Sequence, residues 1–238
     1  VLTRLYSSVF RSFRRHGIKR LLLLGKATRD ILYNKPRFDV RTVLLLARML
    51  SQSDYALFEN VAREVDKLGI TIINQDEYLQ HLFLQPGRYG KKLTTEQLKD
   101  IEFGLQHARE MNRLDIGQTV VVGKRSVLAV EAAEGTDQCI VRGGDLFHNK
   151  GAVVCKLSKE QHDLRFDIPA TGSATLDSMA RSGCRVLAFD SRRTFVVIPS
   201  EFIRSARNAN ITVLAVDAGQ RTDLAYLKKL NGRAASLP

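Results

Sequence analysis

The stretch GIKRLLLLG at residues 17–25 decides the fold class of the chain. Its apolar run lies between two glycines, and a short uninterrupted run of this kind is typical of a strand buried inside a parallel sheet. Residues 3–16, directly before it, carry apolar side chains at helical spacing, with Thr3 placed to cap a helix and Gly17 to end it. A helix that leads into a buried strand indicates an α/β protein.

The rest of the first 84 residues continues this pattern. Helices are predicted over residues 39–50 and 53–68, and Gly69 ends the second of them before a strand at 70–73. Two strands alone do not make a parallel sheet with both faces covered, so we expect further strands upstream of Val1. We therefore predict an incomplete α/β domain over residues 1–84.

A second domain is predicted after a linker. The segment QPGRYGKK combines proline, glycine and charge, which favours a linker over residues 85–93. Thr94 and Gln97 have capping-box spacing and open a helix to about residue 112. The runs 118–122 and 126–130 predict a hairpin. Further strands are predicted at 152–157, 185–189, 194–198 and 211–216, and serine-capped helices at 173–182 and 200–208. These elements predict a mixed-sheet α/β domain over residues 94–220 and a frayed tail over 221–238.

Composition excludes several classes of protein. Apolar residues make up 44% and charged residues 26% of the 238 residues, as in globular proteins and unlike disordered or fibrous ones. The longest apolar run, residues 21–24, is far shorter than the roughly 20 residues of a membrane-spanning helix, so we expect a soluble or peripheral protein. The three cysteines lack CxxC spacing, so neither a disulfide framework nor a cysteine zinc site is indicated. This cysteine usage fits a reducing cytoplasm.

One polar segment, EGTD from Glu134 to Asp137, follows the β-rich run SVLAVEAA and precedes a predicted helix. Thr136 or Asp137 could cap that helix, and the exposed backbone amides of the segment, which includes Gly135, could hold a phosphate. A capped helix start without any ligand explains the same four residues, so both interpretations stand.

A second polar segment runs from Lys156 to Gly172 and carries Asp163, Arg165 and Asp167 at alternate positions. An extended backbone would place these three side chains on one face. Two carboxylates can hold Mg²⁺ or orient a water molecule, while Arg165 and Lys156 can neutralise phosphate oxygens. An exposed strand with surface ion pairs accounts for the spacing equally well.

Other catalytic motifs have less support. GKATRD at residues 25–30 lacks the P-loop pattern, and no GxGxxG occurs. The histidines lack metal-binding spacing, and among them only His162, beside Asp163, adjoins a candidate residue. Gln118 follows a turn and enters a predicted strand, which makes it a candidate substrate contact or a plain part of a connection.

Several blocks of the sequence together resemble, in order, the LpxI-type UDP-2,3-diacylglucosamine pyrophosphatases of lipid A biosynthesis. They are DIGQTVVV, VLAVEAAEGTD, the strand containing Val153 and Lys156, QHDLRFDIPATG and RVLAFD. Upstream, IKRLLLLGKATR, SDYALFENVAREVDKLGI and the following strand resemble the family's N-terminal domain, without its glycine-bearing first strand and loop. The resemblance implies a partial Rossmann-like N-terminal domain, a mixed-sheet C-terminal domain and a cleft between them.

The resemblance also implies a function. It implies a Mg²⁺-dependent cytoplasmic hydrolase of Gram-negative bacteria that converts UDP-2,3-diacylglucosamine to 2,3-diacylglucosamine 1-phosphate (lipid X) and UMP for lipopolysaccharide synthesis. Catalytic or metal-binding roles are implied for Asp163 and Asp167, with Asp137 as a further catalytic candidate. Substrate-binding candidates are Gln118, Glu134, Gly135, Thr136, Lys156, Arg165, Thr171 and Gly172. The implied partner is a lipid-linked UDP-sugar and not a nucleic acid.

Two alternatives remain open at this point. The formal net charge of +12 and an arginine-rich first helix would also suit a non-enzymatic nucleic-acid-binding protein, although stacking aromatics and recognised nucleic-acid motifs are missing. A chain without its first βα unit could also be an inactive truncated relative of the enzyme. The basic first helix could bring the protein to the anionic inner-membrane surface, and a homodimer is left open.

Overall fold

A computed structural model describes residues 12–24, 62–63, 65–158, 163, 165, 168–219 and 222–235. The chain divides into two compact units, one comprising Val1–Tyr78 with Asp163–Asp167 and the other comprising Leu79–His162 with Ile168–Pro238. The helix predicted at 39–50 and most of those predicted at 3–16 and 53–68 lie outside the described residues. The predicted domain boundaries, the Rossmann-like character of the first domain and the cleft stay predictions.

The described part of the first unit contains a small parallel sheet. Its strands are β1 (Arg20–Leu21) and β2 (Thr71–Ile72), each inside an apolar run predicted to be a strand. An apolar cluster that includes Val65, Ile70 and Ile72 packs against one face of this sheet. Alternate strand residues point to the same face, so their apolar side chains are buried together. A short helix, α1 (Asp76–Leu79), and a 3₁₀ turn (Gln80–Leu82) then lead along the chain into the second unit.

The second unit contains eight of the described strands and five of the described helices. The strands are β3 (Gly87–Tyr89), β4 (Thr119–Gly123), β5 (Ser126–Val130), β6 (Val153–Lys156), β7 (Ala170–Thr171), β8 (Val186–Asp190), β9 (Phe195–Val196) and β10 (Thr212–Val216). The helices are α2 (Thr95–Arg113), α3 (Thr136–Leu146), α4 (Ser173–Arg181), α5 (Pro199–Asn208) and α6 (Leu224–Gly232).

Six of these strands form a mixed sheet with the order β3-β10-β8-β6-β4-β5. Strands β6, β8 and β10 are parallel to one another, whereas β3, β4 and β5 each pair with a neighbour in the antiparallel sense. The mixed α/β fold is therefore confirmed.

Both faces of this sheet are covered by helices, which gives three layers. Because successive strand residues point to opposite faces, β6 sends Val154 to one face and Val153 and Cys155 to the other. The first core contains buried residues of α3, α4 and α5, and the second contains those of α2 and α6. The uninterrupted apolar runs of the central strands follow from burial on both sides.

Two local features explain how the hairpin and its covering helix form. Thr94 and Gln97 make the predicted capping box, with Gln97 N donating to Thr94 Oγ1 at 3.2 Å and Thr94 N donating to Gln97 Oε1 at 2.9 Å. The β4–β5 turn uses Lys124 and Arg125 at φ 51° and 57°, a conformation that costs energy without glycine. Asp100 of α2 compensates, because its carboxylate accepts hydrogen bonds from both turn amides.

Three local predictions differ from the structure. The segment expected to be a linker contributes β3 to the sheet, and the segment expected to be a frayed tail forms α6. The strand predicted at 194–198 is present as β9, which pairs with β7 in a separate two-stranded sheet. The serine caps were wrong, because α4 begins after Gly172 and α5 after Ile198, and neither residue makes a side-chain capping bond.

The outer side of β3 is covered by the segment after α6. Arg88 N donates to Arg233 O and Ala235 N donates to Arg88 O, both at 3.0 Å, which makes a parallel bridge between Arg88 and Ala234. The backbone groups that an edge strand would expose are thereby paired at this position. Across the residues the structure describes, no helix combines the length and apolarity needed to cross a membrane.

Candidate functional site

The carboxyl ends of four strands lie at one edge of the six-stranded sheet. Strands β6, β8 and β10 are parallel, and β5 runs with them because β4 is antiparallel to both β5 and β6. Lys156 and Asp190 end their strands, while Glu131 and Asp217 directly follow theirs. In open α/β sheets this edge is where ligands bind. The candidate site is therefore sought here.

Lys156 lies at the centre of this edge and is only 6% exposed. Its Nζ donates to Thr136 Oγ1 and to Ala170 O, each at 3.3 Å. Thr136 is the first residue of α3, and Ala170 lies two residues before Gly172, the N-cap residue of α4. The structure thus brings a buried lysine between the N-termini of two helices.

Both of these helix N-termini lack a side-chain cap. The N-cap of α3 is Gly135 at φ 83°, and that of α4 is Gly172. Capping by Thr136 or Asp137 was wrong, because Thr136 donates instead to Glu131 Oε1 at 2.9 Å and Asp137 is exposed in the first turn of α3. Uncapped amides and the helix dipole favour an anion at such positions.

Two buried oxygen atoms, on residues next to the partners of Lys156, have no hydrogen-bond partner within the described part of the chain. They are Glu131 Oε2 and Thr171 Oγ1, and Thr171 itself is only 2% exposed. Thr136 links the group, since its hydroxyl contacts Glu131 and also accepts from Lys156 Nζ. Because buried polar atoms are nearly always paired in proteins, these two mark positions where a ligand group can bind.

Glu134 is held away from this cluster by an arginine. Its Oε1 accepts from Arg142 Nη2 at 2.5 Å, and its Oε2 accepts from Ala132 N at 3.2 Å. The Arg142 hydrogen bond lowers the pKa of the exposed Glu134 carboxyl. Gln118 contributes its backbone carbonyl, which accepts from Leu157 N at 3.0 Å. The substrate-binding roles predicted for these two residues stay predictions.

Asp163 forms a close ion pair with Arg165. Arg165 Nη2 lies 2.5 Å from Asp163 Oδ2, and Arg165 Nε lies 2.9 Å from Oδ1. Asp163 Oδ1 also accepts from Arg165 N at 3.0 Å and Arg165 lies in a turn, which does not match the extended backbone considered for Asp163 and Arg165. These hydrogen bonds from Arg165 lower the pKa of the Asp163 carboxyl. Asp167 and His162 lie outside the described residues.

The predicted Mg²⁺ site of Asp163 and Asp167 stays a prediction, because Asp167 lies outside the described residues. No group of three or more histidine, cysteine, aspartate or glutamate side chains among them is placed to hold a metal ion. Both oxygens of the Asp163 carboxylate are bonded to the Arg165 guanidinium, which competes with a cation for the same lone pairs.

Sequence reasoning missed a second pair of carboxylates at the same edge. Asp190 is 3% exposed and accepts from Arg192 N at 3.0 Å, and burial raises the pKa of its carboxyl. Asp217 accepts from Arg192 Nε at 3.3 Å, so both carboxylates are tied to Arg192. A signal was present, because VLAVE, VLAFD and VLAVD end in Glu131, Asp190 and Asp217 at the ends of β5, β8 and β10.

Comparison with known proteins agrees with this architecture. Residues 4–82 match the LpxI N-terminal domain and residues 85–214 match the LpxI C-terminal domain. The UDP-2,3-diacylglucosamine pyrophosphatase LpxI of Caulobacter vibrioides is 32% identical over 228 residues, which cover 91% of this chain and 81% of that protein. The two domain matches follow each other along the chain, the N-terminal domain first and the C-terminal domain second. The chain therefore belongs to the LpxI family.

Proposed function

We propose that the chain hydrolyses the pyrophosphate bond of UDP-2,3-diacylglucosamine, releasing UMP and 2,3-diacylglucosamine 1-phosphate for lipid A biosynthesis. The named relative, 32% identical, is a UDP-2,3-diacylglucosamine pyrophosphatase. The observation that carries the proposal is the buried Lys156 between two uncapped helix N-termini, at 3.3 Å from Thr136 Oγ1 and Ala170 O. A diphosphate is the part of this substrate that a lysine between two helix N-termini would recognise.

The chemistry requires charge neutralisation more than covalent catalysis. As water attacks phosphorus and the bridging oxygen leaves, negative charge grows on the phosphate oxygens. Lys156 Nζ and the amides that begin α3 and α4 would stabilise that charge without rearrangement. Thr171 Oγ1 could donate to a substrate oxygen, since it donates to no acceptor among the described residues. We propose Asp163, Asp167 and Asp137 as the carboxylates that position the water, and Arg165 as a phosphate contact.

The cofactor and the localisation of the chain are two further proposals. We propose a Mg²⁺ requirement on the strength of the family resemblance, and UMP release measured with Mg²⁺ and with a chelator tests it. We also propose a cytoplasmic enzyme that touches the anionic inner-membrane surface, where the acyl chains of its substrate reside. Family membership does not favour the alternative of a non-enzymatic nucleic-acid-binding protein.

The deciding experiment is a hydrolysis assay on the purified chain. UDP-2,3-diacylglucosamine should release UMP, and Asp163→Asn and Asp167→Asn should lose most of this activity while remaining folded. Glu110→Gln is a matched control, because Glu110 is an exposed carboxylate that also pairs with an arginine, Arg113, at 2.9 Å. No UMP release by the parent chain would reject the proposal, and full activity in both aspartate variants would reject the carboxylate assignment.

A further inference from the structure

A basic pocket lies at the opposite edge of the six-stranded sheet from the candidate site. It has a volume of about 330 Å³ and is lined by Arg88, Lys91, Arg207, Asn210 and Thr212, among others. Thr212 begins β10, and β3 runs antiparallel to it, so Gly90 and Lys91 lie beside the amino end of β10. The end of α5 completes the rim. This pocket therefore cannot form part of the carboxyl-edge site.

Three cations line this pocket, and none of its described lining residues is a carboxylate. Like charges gathered around one concave surface repel each other unless an anion binds between them. Surface lysines and arginines usually alternate with carboxylates, and the chain has 25 aspartates and glutamates available for that purpose. The absence of a carboxylate from the described lining distinguishes this pocket from a generally basic surface.

Two of the three cations are held in position by hydrogen bonds. Arg88 donates through Nε to Asn231 O at 2.8 Å and through Nη1 to Gly90 O. Lys91 Nζ donates to Asn210 Oδ1 at 2.9 Å. Within the described part of the chain, the Arg207 guanidinium has no carboxylate partner. Preorganised donors reduce the entropy lost on binding an anion.

The pocket rim also depends on a glycine. At Gly90 the backbone has φ +127°, and a Cβ there would lie 3.1 Å from Thr212 Oγ1. Thr212 Oγ1 in turn donates to Lys91 O at 3.3 Å. Glycine thus lets β3 approach the start of β10 and sets the place of Lys91 relative to Asn210.

We propose that this pocket binds a phosphate group carried by a small molecule or by a lipid headgroup. Guanidinium and ammonium donors in one concave surface match the several oxygens of a phosphate. The volume lies at the lower end of ligand sites, which run from about 300 to 1,000 Å³, and suits one small phosphorylated compound. This binding is independent of the proposed hydrolysis, because none of the pocket residues belongs to the carboxyl-edge site.

Titration calorimetry with inorganic phosphate, at constant ionic strength, tests the proposal. Arg207→Gln and Lys91→Gln should each weaken binding by about tenfold or more, since each removes a charged hydrogen-bond donor. Arg204→Gln is the matched control, because Arg204 is exposed on the same helix and does not line the pocket. Lys156→Met should leave this binding unchanged, which separates it from any phosphate binding at the carboxyl edge.

A second arm identifies the source of the phosphate. Vesicles of phosphatidylcholine with and without phosphatidylglycerol are sedimented with the parent and with Arg207→Gln. Binding that needs both phosphatidylglycerol and Arg207 assigns the pocket to a lipid headgroup, whereas phosphate binding without vesicle binding assigns it to a free phosphorylated compound. Equal phosphate affinity in the parent, Arg207→Gln, Lys91→Gln and Arg204→Gln, or no phosphate binding by the parent, overturns the proposal.

Discussion

Replacement of Lys156 by methionine tests the candidate site most directly. Methionine has a similar length and no charge, so it fills the buried space while removing the ammonium group. The hydrogen bonds that the structure describes for Nζ are lost, namely those to Thr136 Oγ1 and Ala170 O, each 3.3 Å long. Thr136 keeps its bond to Glu131 Oε1 at 2.9 Å, so the start of α3 retains one anchor.

The two consequences of Lys156→Met differ in size. A hydrogen bond to a charged group contributes about 1.5–3 kcal/mol, and about 1.4 kcal/mol corresponds to a tenfold change, so kcat/KM should fall about 10- to 100-fold. The free energy of unfolding should change by no more than about 1–2 kcal/mol, because the bonds that are lost are offset by the desolvation cost of burying the ammonium group, which methionine does not have. Urea unfolding and UMP release on the same preparations separate the two effects.

Lys150→Met provides the matched control. Lys150 is exposed and precedes β6, whereas Lys156 ends that strand, so the same substitution is made at opposite ends of one element. It should leave kcat/KM unchanged. Wild-type kcat/KM in folded Lys156→Met would refute the reasoning that the buried ammonium group stabilises charge on the diphosphate.

Three further predictions concern single groups. Thr171→Val should change the free energy of unfolding by less than about 0.5 kcal/mol, because Thr171 Oγ1 has no partner among the described residues. The same substitution should raise KM severalfold. A wild-type KM would exclude a hydrogen bond from Thr171 to the substrate. Burial raises the pKa of the Asp190 carboxyl, so keeping that carboxyl ionised in the folded protein costs stability. Urea unfolding at several pH values should therefore show that the free energy of unfolding of Asp190→Asn, relative to the parent, increases as pH rises through the folded pKa. A difference that stays constant with pH would contradict this prediction. Burial raises the pKa of Cys139 to about 12 and that of Cys155 and Cys184 as well, so no thiol should react with Ellman's reagent before unfolding and all three should react in denaturant.

Local patterns predicted much of the second unit. The capping box at Thr94 and Gln97 and the hairpin of β4 and β5 are confirmed, because both are determined by residues adjacent in sequence. The edge strand β3 was missed because its proline- and glycine-rich flanks resemble a linker, while its pairing with β10 depends on residues more than 120 positions away. Pairing at that distance leaves no local signal.

The site was harder to predict than the fold. Lys156, Thr136, Thr171 and the two N-cap glycines were all named as candidates, yet sequence spacing does not show that Lys156 donates to Thr136 and Ala170. Asp163 and Arg165 were considered on an extended backbone, but the structure has a turn at Arg165, because an aspartate carboxylate can accept a hydrogen bond from the amide two residues later. Asp190 was overlooked because one buried strand ending in aspartate has many explanations, and the threefold VLA pattern becomes informative only once the strands are known to be parallel.

The parallel bridge between Arg88 and Ala234 has a consequence for how strand β3 can pair with other chains. Strand β3 has three residues and would otherwise present its outer amides to any extended chain nearby. Residues 233–235, the latch segment, pair with the outer side of β3 through two backbone hydrogen bonds of 3.0 Å. A shortened chain ending at Gly232 would lose the latch while keeping every strand, and β3 would become a template on which copies could polymerise.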